Sequence, residues 1–496
     1  MRTRSEQVQA HRFVTRRIVS ALLSGEPETT DLPMRRLGLA IFGSVMLATI
    51  VFAAFGIYGQ INPGGGSVEE NSIVIEEESG ARFVYLQGRL YPVLNYASAR
   101  LIMGSATPSV STVSSKKLRD IPRGVPVGIA GAPDSLPDAK SLLGLPWQVC
   151  EGPRSASTAT LTTSLLIGSA VPDGAGLGDE GMLMQLGTDG ATFVLLHGVR
   201  LKVPAGQSSG PVRAALNLSA VRPVVVDDAF VNALPAGPDL AVPVIPGKGG
   251  ASQKKISGAS VPVGTLYRSN NVYYVMLAQG LATIGEVTAD LLVAGGAARP
   301  TELAPAVAGA ALANVDFDPP GMPRTLWTMR QVPAGTTVCA KFAAGQSDPA
   351  AQTLTVDLHG QIPGALAQIT NGDVSAPRNG IDGVLSADRV VIAGGHGALV
   401  RLLPVPGSDA VTTVYLITDQ GIKYPLAAGP KSGDGGAGPA GGGAQASLGF
   451  GDVKPVPIDR DLLALVPTGP TLDPAAALSF LPAGNVAATP SVRSSG

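Results

Sequence analysis

The stretch LGLAIFGSVMLATIVFAAFGIY, Leu37 to Tyr58, runs for 22 residues without a charge. As a helix rising 1.5 Å per residue it covers about 33 Å, enough to cross the hydrocarbon core of a bilayer. Arg35 and Arg36 abut its start, and Arg2, Arg4, Arg12, Arg16 and Arg17 lie upstream. Glu69, Glu70, Glu76, Glu77 and Glu78 follow it, with no basic residue until Arg82. Lys and Arg bias sets orientation, so residues 1–36 are expected in the cytoplasm, 37–58 as the transmembrane helix, and 59–496 outside. A cleavable signal peptide is the rival reading. Its apolar region is shorter, about 7–15 residues, and its basic region is brief, so a retained signal anchor is expected.

The composition suits a tethered, loop-rich domain. Gly (63) and Pro (41) are abundant, charged residues make up 15% and aromatics 4%. This favours many turns and a β-containing fold over a long helical bundle. A net charge of −1 offers no basic face for nucleic acid. Residues 59–496 exceed what one core usually supports, so several modules are expected.

The only two cysteines, Cys150 and Cys339, both follow the span. In an oxidising compartment the default is a disulfide; two separate buried thiols are the alternative. A bond would close a loop of about 189 residues. It would set Trp147-Gln148-Val149-Cys150 against Thr337-Val338-Cys339 in one central module.

Before the span, Thr3-Arg4-Ser5-Glu6 matches a capping box. Val8, Ala10, Val14, Ile18, Ala21 and Leu22 recur at helical spacing, Arg12 and Arg16 flank the stripe, Arg17 lies close by, and Gly25 and Pro27 end the pattern. An amphipathic basic helix of this kind either lies on anionic lipid or docks on a protein partner, and the residues leave both open.

Beyond the span one pattern recurs four times: FVYLQGRLYPV (Phe83 to Val93), FVLLHGVRLKV (Phe193 to Val203), VMLAQGLATI (Val275 to Ile284) and LITDQGIKYPL (Leu416 to Leu426). Gly88, Gly198, Gly280 and Gly421 are expected as turn glycines; Gln precedes three of them and His197 the other. Upstream hairpin signals stand at Ser79-Gly80, Asp189-Gly190, Ser269-Asn270-Asn271 and Pro406-Gly407-Ser408-Asp409. Short helices are expected at 97–102, 212–216, 286–292 and 460–465, with a Gly-rich insert from Gly433 to Gly443 in the fourth copy. The glycines stand 110, 82 and 141 residues apart, which excludes a regular solenoid or propeller. The expected fold is therefore an α+β, β-rich domain of four β-hairpin/α repeats (about 68–140, 186–250, 255–300 and 408–480). They would surround a disulfide-linked core drawn from about 140–185 and 305–405. The tail from Gly484 to Gly496 reads as disordered.

Catalytic motifs do not assemble. Gly247-Lys248-Gly249-Gly250 and Lys431-Ser432-Gly433 lack phosphate-loop spacing, and His11, His197, His359 and His396 form no H-E-x-x-H. His396 reads as a turn residue. Asp316 and Asp318, near Asn314, read as a solvated turn before Pro319-Pro320, with metal binding the lesser alternative. Gly206-Gln207-Ser208-Ser209-Gly210 matches G-x-S-x-G between a strand and a helix, but the other copies have no such Ser and no Asp–His pair follows in hydrolase order. No catalytic residue, metal or cofactor is expected from the residues.

Several stretches together carry a resemblance. They are Val8-Gln-Ala-His-Arg-Phe-Val-Thr-Arg-Arg17, the single anchor, Asn95-Tyr96-Ala97-Ser98-Ala99-Arg100-Leu101-Ile102, Trp147 to Cys150, Cys339, Leu385-Ser386-Ala387-Asp388-Arg389-Val390, Gly397 to Arg401, Thr418-Asp419-Gln420-Gly421 and Val466-Pro467-Thr468-Gly469-Pro470. In these the chain resembles the EccB family, a core membrane component of actinobacterial type VII (ESX) secretion systems. The resemblance covers nearly the whole chain. It implies a structural subunit of an inner-membrane secretion complex, with the N-terminus cytoplasmic and the large domain periplasmic. The implied partners are EccC-, EccD- and EccE-type subunits, a mycosin protease and other copies of itself through the periplasmic domains. It also implies a central core flanked by four repeats and a Cys150–Cys339 disulfide. Family members often carry an ATPase label; this chain has no Walker motif, so ATP enters by family label alone. Two alternatives to the scaffold stand: an ATP-hydrolysing component, and a cell-wall-binding module built from the small β repeats.

Overall fold

The computed structural model describes residues 4–24, 33–61, 67–155, 158–172, 174–313, 315–345, 352–367, 386–403, 413–429 and 443–479. The expected turn at 406–409, the Lys431-Ser432-Gly433 fragment, nearly all of the Gly-rich insert and the 484–496 tail lie outside the described residues. The chain divides into two compact units, residues 1–90 with 109–123, and residues 91–108 with 124–496.

In the first unit, helix α1 spans Arg4–Ser24 and helix α2 spans Pro33–Ile61. Within α2, Leu37–Gly59 is long and apolar enough to cross a membrane, and none of it is buried by the protein. A helix that is apolar all round and unburied needs lipid as its solvent. On α1, Val8, Phe13, Val14, Ile18 and Leu22 are exposed. The unit also holds a hairpin, Ser72–Glu76 with Arg82–Leu86, whose inner strand pairs in parallel with Val110–Val113. Val74, Phe83, Leu90, Val113 and Leu118 form its core.

The second unit is organised by a six-stranded sheet. Its order is Arg389–Val391, Thr158–Ile167, Trp147–Ser155, Thr337–Ala344, Gln352–His359 and Ala175–Gly176. Alternation along the strands gives it two buried faces. Trp147, Val149, Leu165, Ile167, Val338 and Ala340 enter the main core. Cys150, Leu166 and Cys339 turn to the opposite face, against Val171 and Leu366.

Four four-stranded sheets share one order: third, second, first, fourth strand. In each, the first two strands pair antiparallel and the fourth joins the first in parallel. The fourth strands are Val110–Val113, Val224–Val226, Thr301–Glu302 and Val456–Ile458. A parallel strand needs a crossover. A short helix supplies it in each: Tyr96–Met103, Ser209–Ala215, Glu286–Ala294 and, in the fourth, Ala444–Ser447. Past the fourth strand the chain returns to bridge the outer edge of the third strand, at Leu90↔Arg123, Arg200↔Ala236, Leu281↔Leu312 and Lys423↔Thr468. The bridge covers an edge that would otherwise be open to pairing.

The structure revises three boundaries. The first strand of the second sheet is Met182–Leu186, and that of the fourth is Gly397–Leu402, so both sheets begin earlier than 186 and 408. The third sheet extends past 300 to Thr301–Glu302 and the bridge at Leu312. First strands carry buried apolar runs on both faces and look like core when read alone. Met182 and Met184 face the main core, while Leu183 faces a second core with Val212, Leu216, Val287 and Leu291.

One turn glycine is also revised. Gly88, Gly198 and Gly421 have φ of 73°, 77° and 71°, as left-handed turn positions require. Gly280 instead opens the strand Gly280–Ile284 and pairs with Leu277, so Ala278 and Gln279 make the turn. Its lack of a side chain still matters, because a Cβ there would lie 2.5 Å from the Ala311 carbonyl oxygen.

Candidate functional site

Cys150 and Cys339 face each other directly in the antiparallel ladder between Trp147–Ser155 and Thr337–Ala344. They form a disulfide with Cα atoms 4.0 Å apart, and both are essentially solvent-free. The bond ties strands 189 residues apart in sequence.

On the other face of the same strand stands Glu151, in register with Val338 and Thr163. Alternation puts it on the side of Trp147 and Val149, where an apolar residue is expected, and it is only 1% exposed. The Thr163 hydroxyl donates to Glu151 Oε2, while Oε1 has no partner. Asp388 Oδ2 accepts the Thr163 amide at 2.9 Å. Burial, reinforced by the negative charges of Asp227 and Asp388, pushes the Glu151 carboxyl up to about 8 despite the Thr163 hydrogen bond. Glu151 is therefore neutral at pH 7 in the folded protein. Asp227 immediately precedes the helix Asp228–Ala233, which packs on the Trp147–Ser155 strand. The acid thus sits where the second sheet's unit meets the disulfide sheet. Sequence reasoning did not select Glu151; the signal was a carboxylate in phase with Trp147 and Val149.

The other motifs resolve into structure. Asp318 is not a solvated turn residue: its side chain is 7% exposed and pairs with Arg324 at 2.8 Å. It also accepts the Gly285 amide at 2.9 Å, at the start of the Glu286–Ala294 helix. No group of three or more potential metal-ligating side chains occurs among the described residues. Ser208 is exposed and its hydroxyl donates to the Ala205 carbonyl, so G-x-S-x-G forms a helix start. The amides of Lys248, Gly249 and Gly250 are spent on the carbonyls of Ile245, Val263 and Gly247, leaving no cradle for a phosphate there. His396 occupies a turn, its Nδ1 3.0 Å from the Gly394 carbonyl oxygen. Of the residues expected to dock partners, Val8, Arg12, Val14, Arg16, Arg17, Ile18 and Leu22 all lie on α1.

These features define a class: a protein with, among the described residues, one helix long and apolar enough to cross a membrane and a disulfide-braced, β-rich domain. The chain belongs to the EccB family. A family model described as "Type VII secretion system ESX-1, transport TM domain B" matches residues 1–481. The ESX-3 secretion system ATPase EccB3 of Mycolicibacterium smegmatis is 28% identical over 84% of this chain and 81% of its own length. The ESX-5 secretion system ATPase EccB5 of Mycobacterium tuberculosis is 27% identical over 95% of this chain and 92% of its own. Among solved structures, a chain of an intact ESX-5 inner membrane complex matches with TM-score 0.63 and 26% identity, covering 99% of this chain and 98% of that one. A chain of an EccB3 dimer from the ESX-3 core complex matches with TM-score 0.61 and 26% identity, over 82% of this chain and 100% of that one.

Proposed function

We propose that this protein is a structural subunit of a type VII secretion complex in the inner membrane, with residues 1–36 cytoplasmic and residues 59–496 periplasmic. The observation that carries the reading is the family match over residues 1–481 together with near-complete coverage of a chain from an ESX-5 inner membrane complex. The orientation rests on Arg35 and Arg36 before the span and five glutamates after it. The four sheets of shared strand order are read as four copies of one unit. They offer contact surfaces to other copies of the chain and to a mycosin-type protease. Helix α1, with its exposed Val14, Ile18 and Leu22 and its arginines, docks on EccC-, EccD- or EccE-type subunits at the cytoplasmic face, with anionic lipid as a supporting surface.

Deleting residues 1–24 tests the docking role. The truncated chain should still insert and fold but be lost from the membrane complex on a native gel; an unchanged complex would refute it. Turnover of ATP by the purified full chain, abolished by a point substitution, would replace the scaffold reading with an enzymatic one.

A further inference from the structure

In each of the four sheets the returning chain bridges the third strand, which leaves the fourth strand as the remaining edge. Along such an edge alternate residues point their N–H and C=O outward, ready to pair with another strand. The hydrogen bonds on the inner side show which residues those are. In the second sheet Val226 gives its carbonyl to the Gly187 amide, so Val225 alone points outward from a three-residue strand. In the third sheet the Leu303 amide donates to Arg268, so the charged Glu302 points outward. In the fourth the Leu403 amide donates to Ile458, so Pro457 points outward. Pro457 has no N–H, and its carbonyl already accepts Gln352 Nε2 at 2.8 Å. Brevity, charge and proline are the devices that protect a sheet edge from pairing.

The first sheet has none of them. The amides of Ile73 and Glu77 donate to the carbonyls of Ser109 and Val113. Ser109, Ser111 and Val113 therefore face inward along the ladder, and Val110 and Thr112 face outward. The strand Val110–Val113 contains no charge and no proline. Val110 is 45% exposed and Thr112 is exposed. No strand among the described residues pairs with this edge. Two outward residues, both uncharged and both with a free N–H and C=O, thus stand open where the three related sheets are blunted.

We propose that Val110–Val113 pairs antiparallel with the same strand of a second copy, about a two-fold axis at Ser111. In that register Val110 of one copy stands opposite Thr112 of the other, and each such pair exchanges both of its N–H···O bonds. A slip of one residue would set outward residues against inward ones and lose every bond. The edge is therefore complementary to itself in one register, and no charge on either strand opposes it. Ser111 meets Ser111 on the same side of the joined sheet, and its hydroxyl, which has no hydrogen-bond partner in the isolated chain, comes within reach of its counterpart. So short a junction is weak by itself. Anchoring both copies in one membrane plane raises their effective concentration and lets it hold. The inference rests on the reading that copies of the chain meet through their periplasmic domains, and it names the edge they use.

A single cysteine tests it. Residues opposite each other in a non-hydrogen-bonded pair stand about 4.5 Å apart at Cα, within disulfide reach. Full-length Ser111→Cys in membranes is treated with a mild oxidant and run on a non-reducing gel, the two native cysteines being already bonded to each other. The expected result is a covalent dimer about tenfold more abundant than with Ser79→Cys, at the exposed hairpin tip, which reports random collision. Adding Thr112→Pro, or Thr112→Lys as a second blocking change, should lower the Ser111→Cys cross-link about tenfold, with the melting temperature checking that the fold is kept. A Ser111→Cys dimer no more abundant than that of Ser79→Cys, or one that survives both blocking changes, would overturn the proposal. Native gels of the same membranes keep the two readings apart. A large assembly without the cross-link defeats the edge and leaves the scaffold reading standing; cross-linked dimers without a larger assembly do the reverse.

Discussion

Replacing Glu151 with Gln removes the titration of a carboxyl that the fold holds at about 8, against 4.5 in the unfolded chain. Below about pH 4.5 both states carry the proton and the group has no effect on stability relative to Gln. Between those values the unfolded chain ionises and the native protein does not, so native stability falls as pH rises. The slope is about 1.4 kcal/mol per pH unit, giving a total near 5 kcal/mol by pH 8, after which the curve flattens. Gln keeps the shape and can still accept the Thr163 hydroxyl, and its amide fills the place of the unpartnered Oε1. The two proteins should therefore unfold within about 1 kcal/mol of each other at pH 4.5, and the variant should be the more stable by several kcal/mol at pH 8.5. Parallel denaturant unfolding of full-length wild type and Glu151→Gln across this range measures the difference, in which the other carboxylates cancel. A difference that does not change with pH would refute the assignment of a neutral buried acid at this junction.

Further outcomes follow from the same geometry. Replacing Cys150 and Cys339 by Ala opens a 189-residue loop, and loop entropy sets the loss at roughly 5 kcal/mol, read as a lower denaturant midpoint. Gly469→Ala would put a Cβ 2.5 Å from the buried Tyr424 ring, at the bridge that closes the fourth sheet; a loss of about 1–3 kcal/mol is expected by thermal unfolding. Asp318→Ala strips the Gly285 amide and Arg324 of their shared acceptor, at a cost of about 1–3 kcal/mol, whereas Asp316→Ala should stay within about 0.5 kcal/mol.

The membrane helix was legible because length and absence of charge are properties of one local run. The hairpins were legible for the same reason, since Asp189-Gly190 and His197-Gly198 mark turns within a few residues. The parallel fourth strands were not. Val224–Val226 and Thr301–Glu302 are three and two residues long, and their partners lie a crossover away with no turn to mark the pairing. Their closing segment did leave a trace: Pro122-Arg123-Gly124, Pro235-Ala236-Gly237 and Pro467-Thr468-Gly469 each place a Gly against the third strand. Gly280 misled by one position because the third hairpin turns on Ala278-Gln279, so a sequence match on Gln-Gly shifts the register. The cysteine pairing followed from compartment and count. Glu151 needed the fold, since its neighbours Thr163 and Asp388 stand 12 and 237 residues away in sequence.

The scaffold reading is tested most directly by the size and content of the assembly that holds the native protein. The full-length chain, tagged at its C-terminus and expressed at its natural level, is extracted in mild detergent and run on a native gel, and the band is read by mass spectrometry. The expected result is an assembly many times the 50.1 kDa chain mass that contains other type VII secretion subunits. Migration only as a free monomer or dimer, with no secretion subunit in the band, would contradict it.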